Sequence, residues 1–302
     1  MSASTGSREM PGLQIGDMGA LLSLEQIEAD VWRSLEPDRN FGGEVFGGQY
    51  LGLSVGAAMR STPARSPHAM TSYFLRGARA ARPVDYHVER TRDGRAFAHR
   101  RVTAMQDGKE VFRAEISFHD WEEGEAEHNT PPPSVPPMEQ LTSLRQNVRD
   151  LADIINLETS DRVLNRSSFD TYFLDPDEGL GKPGARPETI AWVQPHPAPP
   201  ADDPIAYYTT LAYLTDACAN FPSRTTHADS LYDGQLLSVS LNHAIWFHAR
   251  PRPIERVLYA LDGPFSGGGL GYNRGAMYDV HGHMLASVVQ EALIRRRQPK
   301  ED

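Results

Sequence analysis

Ser72-Tyr73-Phe74-Leu75 opens a segment, residues 72–117, that reads as an aromatic strand, a break at Pro83, an alternating strand and a strand-turn-strand unit. Residues 245–291 repeat this order from Ile245-Trp246-Phe247-His248 onward, at an offset of about 170 to 174 residues. A repeat of this kind predicts a fold built from two similar units.

The two copies differ in polarity within their last strands. In the register of the repeat, the apolar Ile116 of the first copy corresponds to the polar Gln290 of the second. We therefore expect only one unit, the second, to carry a polar site.

The strand patterns indicate an antiparallel sheet. Tyr86 and Val88 fall on one face of a strand and His87 and Glu89 on the other, which suits a sheet with one side on a core and one side in water. Asp107-Gly108 is a hairpin turn signal between two such strands. Parallel β-α-β alternation is absent, which argues against a Rossmann or doubly wound fold.

Two buried helices are predicted to complete the units. Residues 47–60 are small or apolar at nearly every position, and close packing under a sheet is the simplest reason for their glycines. Asp202-Asp203-Pro204 begins the second helix, which we expect to run to about Asn220. A further helix is expected over residues 21–31. The predicted fold class is α+β, with an antiparallel sheet wrapped round a long helix in each unit.

The chain is expected to divide into three segments. Residues 17–121 form the first unit, and residues 166–298 form the second unit with the polar site. Residues 122–165 between them are acidic and then proline-rich, which predicts a linker, with a connector helix near 141–157.

Composition restricts the classes of function. The chain has 302 residues and a net charge of −10, which argues against nucleic-acid binding because that needs a basic surface. The single cysteine, Cys218, excludes an internal disulfide and fits a reducing, cytoplasmic compartment. The apolar runs are too short for a membrane span, and the N-terminus shows no secretory signal.

Two glycine-containing motifs have weak functional readings. Gly52-Leu53-Ser54-Val55-Gly56 matches the letters of the nucleophile elbow of serine hydrolases, but the elbow needs a strand before its serine and a helix is expected here. Residues 266–271 fit no phosphate-binding pattern and are interpreted as a flexible loop, with contact to a ligand phosphate as the alternative. The eleven histidines form no H-E-x-x-H motif, so neither a metal nor another cofactor is expected.

Asp216, Ser240 and Gln290 stand out because they interrupt apolar patterns in the second unit. Each alone is best explained as a half-buried polar group with a hydrogen-bond partner, since burial of an unpaired polar group is costly. Together they have the chemistry to hold a water molecule. A carboxylate would accept the water's proton, while a hydroxyl and an amide would fix its position.

Several segments between residues 20 and 297 resemble one known family in order and spacing. They are Val45-Phe46-Gly47-Gly48-Gln49, Ser72-Tyr73-Phe74-Leu75-Arg76, Arg100-Arg101-Val102, Gln106-Asp107-Gly108, Asn242-His243-Ala244-Ile245-Trp246-Phe247-His248 and Leu285-Ala286-Ser287-Val288-Val289-Gln290-Glu291. The family is the bacterial acyl-CoA thioesterase II, or TesB-type, family.

The resemblance implies a double hot-dog fold and hydrolysis of an acyl-CoA to a free acid and CoA. The family's water-holding aspartate falls on Asp216, on the second helix, and its glutamine falls on Gln290. Its threonine falls on Ser240, so the hydroxyl is kept and the β-methyl group is not. Backbone amides near Gly47, Gly48 and Gln49 are expected to bind the substrate and stabilise the oxyanion.

Other functions remain open at this point. A non-catalytic acyl-CoA-binding protein would keep the fold and lose the rate, and Ser240 supports this alternative. A hot-dog dehydratase would need a histidine–aspartate pair, and the predicted helix of Asp216 carries no histidine. Homo-oligomers through hot-dog sheets are possible partners, whereas nucleic acids and membrane spans are not expected.

Overall fold

The computed structural model describes residues 17–40, 43–124, 127–146, 168–175, 186–227 and 236–296, and its main feature is an antiparallel sheet of twelve strands. The strands in chain order are β1 (Leu24–Glu28), β2 (Val31–Ser34), β3 (Ser66–Phe74), β4 (Asp85–Asp93), β5 (Phe97–Gln106), β6 (Lys109–His119), β7 (Phe169–Phe173), β8 (Glu188–Pro195), β9 (Leu236–Phe247), β10 (Val257–Gly267), β11 (Leu270–Tyr278) and β12 (Met284–Arg296). The helices are α1 (Met18–Leu21), α2 (Gly47–Arg60), α3 (Pro204–Leu214) and α4 (Phe221–Arg224).

The strand order shows the duplication directly. It runs β1-β2-β4-β5-β6-β3 in one half and β9-β12-β11-β10-β8-β7 in the other, so each half has the same order read outward from the centre. β3 and β9 pair at the centre, where Ser72 lies opposite His243. α2 precedes β3 and α3 precedes β9, so each half has one long helix at the same point. The prediction of two similar units is confirmed.

The glycines of α2 allow the two long helices to approach each other closely. A Cβ atom on Gly48 would lie 2.4 Å from the carbonyl oxygen of Tyr213, and one on Gly52 would lie 2.8 Å from that of Thr209. The bounds Gly47–Arg60 match the predicted helix. These glycines were expected to pack under the sheet, whereas Gly48 and Gly52 make their close backbone contacts with α3.

The helix predicted over residues 21–31 is wrong. α1 ends at Leu21, and the chain then forms the hairpin of β1 and β2. Asp30 takes a positive φ of 56° in the turn, which aspartate tolerates better than most residues. Edge pairing of β2 with β4 extends the sheet, and this long-range contact overrides the local helical pattern.

The second long helix is shorter than expected. α3 begins after Asp203, whose carboxylate accepts hydrogen bonds from the amides of Ile205 (2.9 Å) and Ala206 (3.0 Å). The helix ends at Leu214 instead of near Asn220. Beyond it the amide of Ala217 bonds the carbonyl of Leu214 at 3.0 Å, a tighter turn than an α-helix. Asp216 therefore lies just past the helix.

Two further expectations concern the connector helix and membrane-spanning helices. Most of the predicted connector helix at 141–157 lies outside the described residues. In the ranges that are described, none of the helices combines the length and the hydrophobicity that crossing a bilayer requires.

Candidate active site

A cavity of about 350 Å³ opens between the two units. The first unit contributes the start of α2 and the end of β3, including Gly47, Tyr50 and Phe74. The second unit contributes the turn after α3, the helix α4 and the start of β9, including Asp216 and Ser240. The cavity therefore requires both units, while most of its polar side chains come from the second.

The three residues singled out from the sequence converge beside this cavity. The Ser240 hydroxyl lies 3.4 Å from Asp216 Oδ1 and 3.1 Å from Gln290 Nε2. With the Gln290 amide donating to Ser240 Oγ, the serine proton is free to point at the carboxylate. Gln290 is 1% exposed, so its amide is held within the core rather than in solvent.

A β-bulge brings Ser240 to the inner face of the sheet. His243 lies opposite Gln290 and Asn242 opposite Glu291, but Ser240 lies opposite Ala292, so Leu241 is an extra residue in β9. In a regular strand, positions three apart face opposite sides. The bulge resets this alternation and places Ser240 and His243 on the same side.

Asn220 is a fourth polar member of the cluster. Its side-chain oxygen accepts a hydrogen bond from Gln290 Nε2 at 2.7 Å, and its Nδ2 donates to Ser240 Oγ at 3.3 Å. Asn220 also lines the cavity. From the sequence, Asn220 was expected only as the end of the second helix, because nothing in the linear pattern places it beside Gln290 and Ser240.

His243 lies behind Gln290, away from the cavity. Its Nδ1 contacts Gln290 Oε1, and its Nε2 lies 2.9 Å from the hydroxyl of Thr215. A proton on Nδ1 makes Oε1 the acceptor and leaves the Gln290 NH2 group to donate to Asn220 and Ser240. His243 therefore sets which end of the amide faces the site.

Burial keeps the His243 ring neutral. The side chain is 1% exposed, and desolvation lowers its pKa to about 4, while the hydrogen bond to Gln290 acts in the opposite direction. Ser72 of the first unit donates to the His243 carbonyl at 2.9 Å. The first unit thus supports the strand on which this side chain lies.

The segment Gly47-Gly48-Gln49 lies at the start of α2, beside the cluster. Gly47 borders the cavity, and a Cβ atom on it would meet Asp216 Oδ2 at 2.4 Å. Gly48 lies against the Tyr213 carbonyl. Gln49 turns away from the cavity, and its Nε2 donates to the carbonyls of Leu21 (2.8 Å) and Glu36 (2.6 Å).

The two glycine motifs take no part in this site. Ser54 is fully buried in the middle of α2, so it lacks the exposed turn of a nucleophile elbow, and the serine-hydrolase alternative is wrong. Gly268 and Gly269 have positive φ angles of 62° and 81° and form the turn between β10 and β11. Glycine is the residue that adopts this conformation without strain.

Two domain families match this chain over most of its length. The Acyl-CoA thioesterase N-terminal domain matches residues 35–119, and the Acyl-CoA thioesterase C-terminal domain matches residues 130–294. The chain belongs to the acyl-CoA thioesterase family. It is a double hot-dog member of that family, as the arrangement of its sheet and helices shows.

Relatives of this thioesterase-family chain match most of its length. Acyl-coenzyme A thioesterase 8 from Rattus norvegicus is 29% identical over 92% of this chain and 88% of the relative. Acyl-CoA thioesterase 2 from Haemophilus influenzae is 28% identical over 91% of this chain and 96% of the relative. Both matches extend over both units of this chain.

Solved structures show the same fold. An acyl-CoA thioesterase II from Mycobacterium marinum superposes with a TM-score of 0.74 at 29% identity, over 94% of this chain and 100% of that one. A hot-dog protein of unknown function from Alicyclobacillus acidocaldarius gives the same TM-score at 18% identity, over 93% of this chain and 98% of that one, and this likeness concerns the fold alone.

Proposed function

We propose that this chain hydrolyses acyl-CoA thioesters to a free acid and CoA, using a water molecule held by Asp216, Ser240 and Gln290. The observation that carries the proposal is their convergence at one cavity, although they lie far apart in the sequence. Membership of the thioesterase family supports the thioester as the substrate.

In the proposed reaction, the Asp216 carboxylate acts as the base that activates the water. Asp216 accepts a proton from the water, and the water oxygen attacks the thioester carbonyl carbon. The tetrahedral intermediate collapses with cleavage of the C–S bond, and the CoA sulfur takes the proton from Asp216. Within the proposal, the water takes the place of the contact between Gln290 Nε2 and Ser240 Oγ, so both side chains orient it. No covalent serine or cysteine intermediate forms.

In this proposal, the start of α2 stabilises the oxyanion. The residue before the helix, Phe46, makes no side-chain hydrogen bond to the first turn, so the turn's amides are not capped in that way. Within the proposal, backbone amides at Gly47 and Gly48 receive the developing charge. Gln49 holds the loops around Leu21 and Glu36 and so fixes the position of the helix start.

The alternative of a non-catalytic acyl-CoA binder rests on Ser240. Serine has more χ1 freedom than the β-branched threonine of the family, and its contact with Asp216 is long at 3.4 Å. A dehydratase is not supported, because His243 contacts Gln290 and Thr215 and does not reach Asp216 in the described structure.

Release of free thiol from acyl-CoAs of several chain lengths tests the proposal. Wild-type protein should release CoA, and Asp216→Asn should lower kcat by about 10²- to 10⁴-fold with its fold intact. Asp262→Asn is a matched control, because Asp262 is a solvent-exposed aspartate paired with Arg274. Binding of acyl-CoA without thiol release would favour the binder, and normal turnover by Asp216→Asn would refute the water-activation scheme.

A further inference from the structure

The lining of the cavity includes a cationic side chain, Arg224, that the proposed reaction does not use. Arg224, the last residue of α4, lines the cavity together with Asp216 and Ser240. Its guanidinium lies over the Phe221 ring at 5.0 Å from the ring centre. Among the described residues, no carboxylate forms an ion pair with it.

On the second unit's side of this cavity, two hydrogen-bond donors have no acceptor in the described part of the chain. They are Nε of Arg224 and the hydroxyl of Ser238, and both atoms are buried. Ser238 precedes Ser240 by two residues on β9, so the two serines face the same side of the strand. Both residues line the cavity, and buried donors normally have partners, so these unpaired donors indicate a ligand that accepts hydrogen bonds.

The chemistry of these donors favours an acidic ligand. Arg224 is partly buried, which is costly for a guanidinium unless an anion is near, and its planar donors match carboxylate and phosphate oxygens. Desolvation lowers the pKa of Arg224 to about 10, with the Cys218 thiol acting in the opposite direction, so the group is still a cation at neutral pH. The Ser238 hydroxyl would add a neutral donor from another part of the same cavity lining.

We propose that Arg224 and Ser238 bind an acidic group of the thioester substrate, either a carboxylate on the acyl chain or a phosphate of the CoA. This inference rests on the proposed function. It gives the cavity a substrate preference, because an acidic group held at Arg224 would help to place the thioester beside Asp216.

Binding of four unreactive thioethers by calorimetry tests the inference and locates the anion. The ligands are S-hexyl-CoA, S-(5-carboxypentyl)-CoA and the same two thioethers of pantetheine, which lacks phosphate. If the acyl carboxylate is the ligand, Arg224→Leu should weaken only the two carboxypentyl ligands, by about 10- to 100-fold. If a CoA phosphate is the ligand, it should weaken both CoA ligands and neither pantetheine ligand.

Matched variants distinguish the effect of losing the Arg224 charge from the effect of losing its packing contacts. Arg224→Lys keeps the charge and should retain part of the affinity, and Ser238→Ala should give a smaller loss for the same ligands. Arg274→Leu removes an exposed arginine that pairs with Asp262 and should change nothing. An Arg224→Leu variant that binds all four ligands as wild type does, or all four equally more weakly, would overturn the inference.

The same experiment separates this inference from the proposed function. Wild-type protein that binds none of the thioethers and releases no thiol from acyl-CoAs would refute both. Wild-type protein that binds them without any dependence on Arg224 and Ser238 would refute only the acidic subsite.

Discussion

Gly47 of the first unit lies so close to Asp216 of the second that a Cβ atom on Gly47 would be 2.4 Å from Asp216 Oδ2. The same atom would be 3.1 Å from the Phe74 ring. The absence of a side chain at the start of α2 therefore sets where the carboxylate can lie. Its proposed role as a base depends on a residue of the other unit.

Gly47→Ala should displace the Asp216 carboxylate and lower kcat by about 10- to 100-fold, because a shift of about 1 Å in a reacting group can cost this much. Steady-state kinetics with one acyl-CoA measures the effect. Gly267→Ala is the control, since the three atoms nearest to its Cβ would all belong to the exposed Phe265 ring. Unchanged kcat in Gly47→Ala would show that the contact does not position the carboxylate.

Asn220→Ala should lower kcat by about 10- to 100-fold, since it removes the acceptor at 2.7 Å that holds the Gln290 amide. The fold should remain, because Asn220 is half-buried in a turn. Asn129→Ala, at an exposed position in the segment predicted as a linker, is the control for loss of an asparagine. Full activity in Asn220→Ala would remove Asn220 from the positioning network.

Ser240→Thr should preserve or raise kcat, because the β-branched side chain restricts χ1 and keeps the hydroxyl near Asp216. Ser240→Ala should lower kcat by about tenfold or more, because the hydroxyl that orients the water is lost. Thiol release by the two variants gives the comparison. A large loss in Ser240→Thr would contradict the role assigned to this hydroxyl.

Stability should fall in acid partly through His243. Its folded-state pKa of about 4 lies below the ordinary value of 6.5, so the unfolded chain takes up the proton more readily. This contribution is fully present above pH 6.5 and is lost as the pH falls towards 4, up to about 3 kcal/mol. Urea unfolding between pH 7 and pH 4 measures it.

His243→Asn is the comparison for the pH series. This variant should be less stable at pH 7, because a buried ring and its hydrogen bonds are lost, but its stability should fall less steeply with acid. Other titrating groups contribute equally to both proteins and cancel in the difference. Parallel pH profiles for the two proteins would contradict a lowered His243 pKa.

Much of the fold was predictable because its signals are local or repeated. The bounds of α2 follow from an unbroken run of small and apolar residues, and the turn after β5 follows from Asp107-Gly108, both with positive φ. The alternation in β4 correctly placed Tyr86 and Val88 on the buried face. The helix over residues 21–31 failed because pairing with β4 at the sheet edge is a long-range contact.

The supporting residues of the site were harder to predict. Asn220 and His243 contact Gln290 only after β9 and β12 pair and the turn beyond α3 folds back on them. A side chain's partner across a sheet depends on register, and a bulge changes that register. The spacing of Ser240 and His243 by three residues gave no sign that both face inward.

The sequence alone determined the duplication, the α+β class and the three polar residues of the second unit. Repeats and interrupted apolar patterns are properties of the linear chain. Only the tertiary structure decided how these residues meet. The bulge at Leu241 turns Ser240 inward, the early end of α3 frees Asp216 from the helix, and Gly47 of the other unit sets the position of its carboxylate. These relationships depend on contacts between distant segments, which no local pattern encodes.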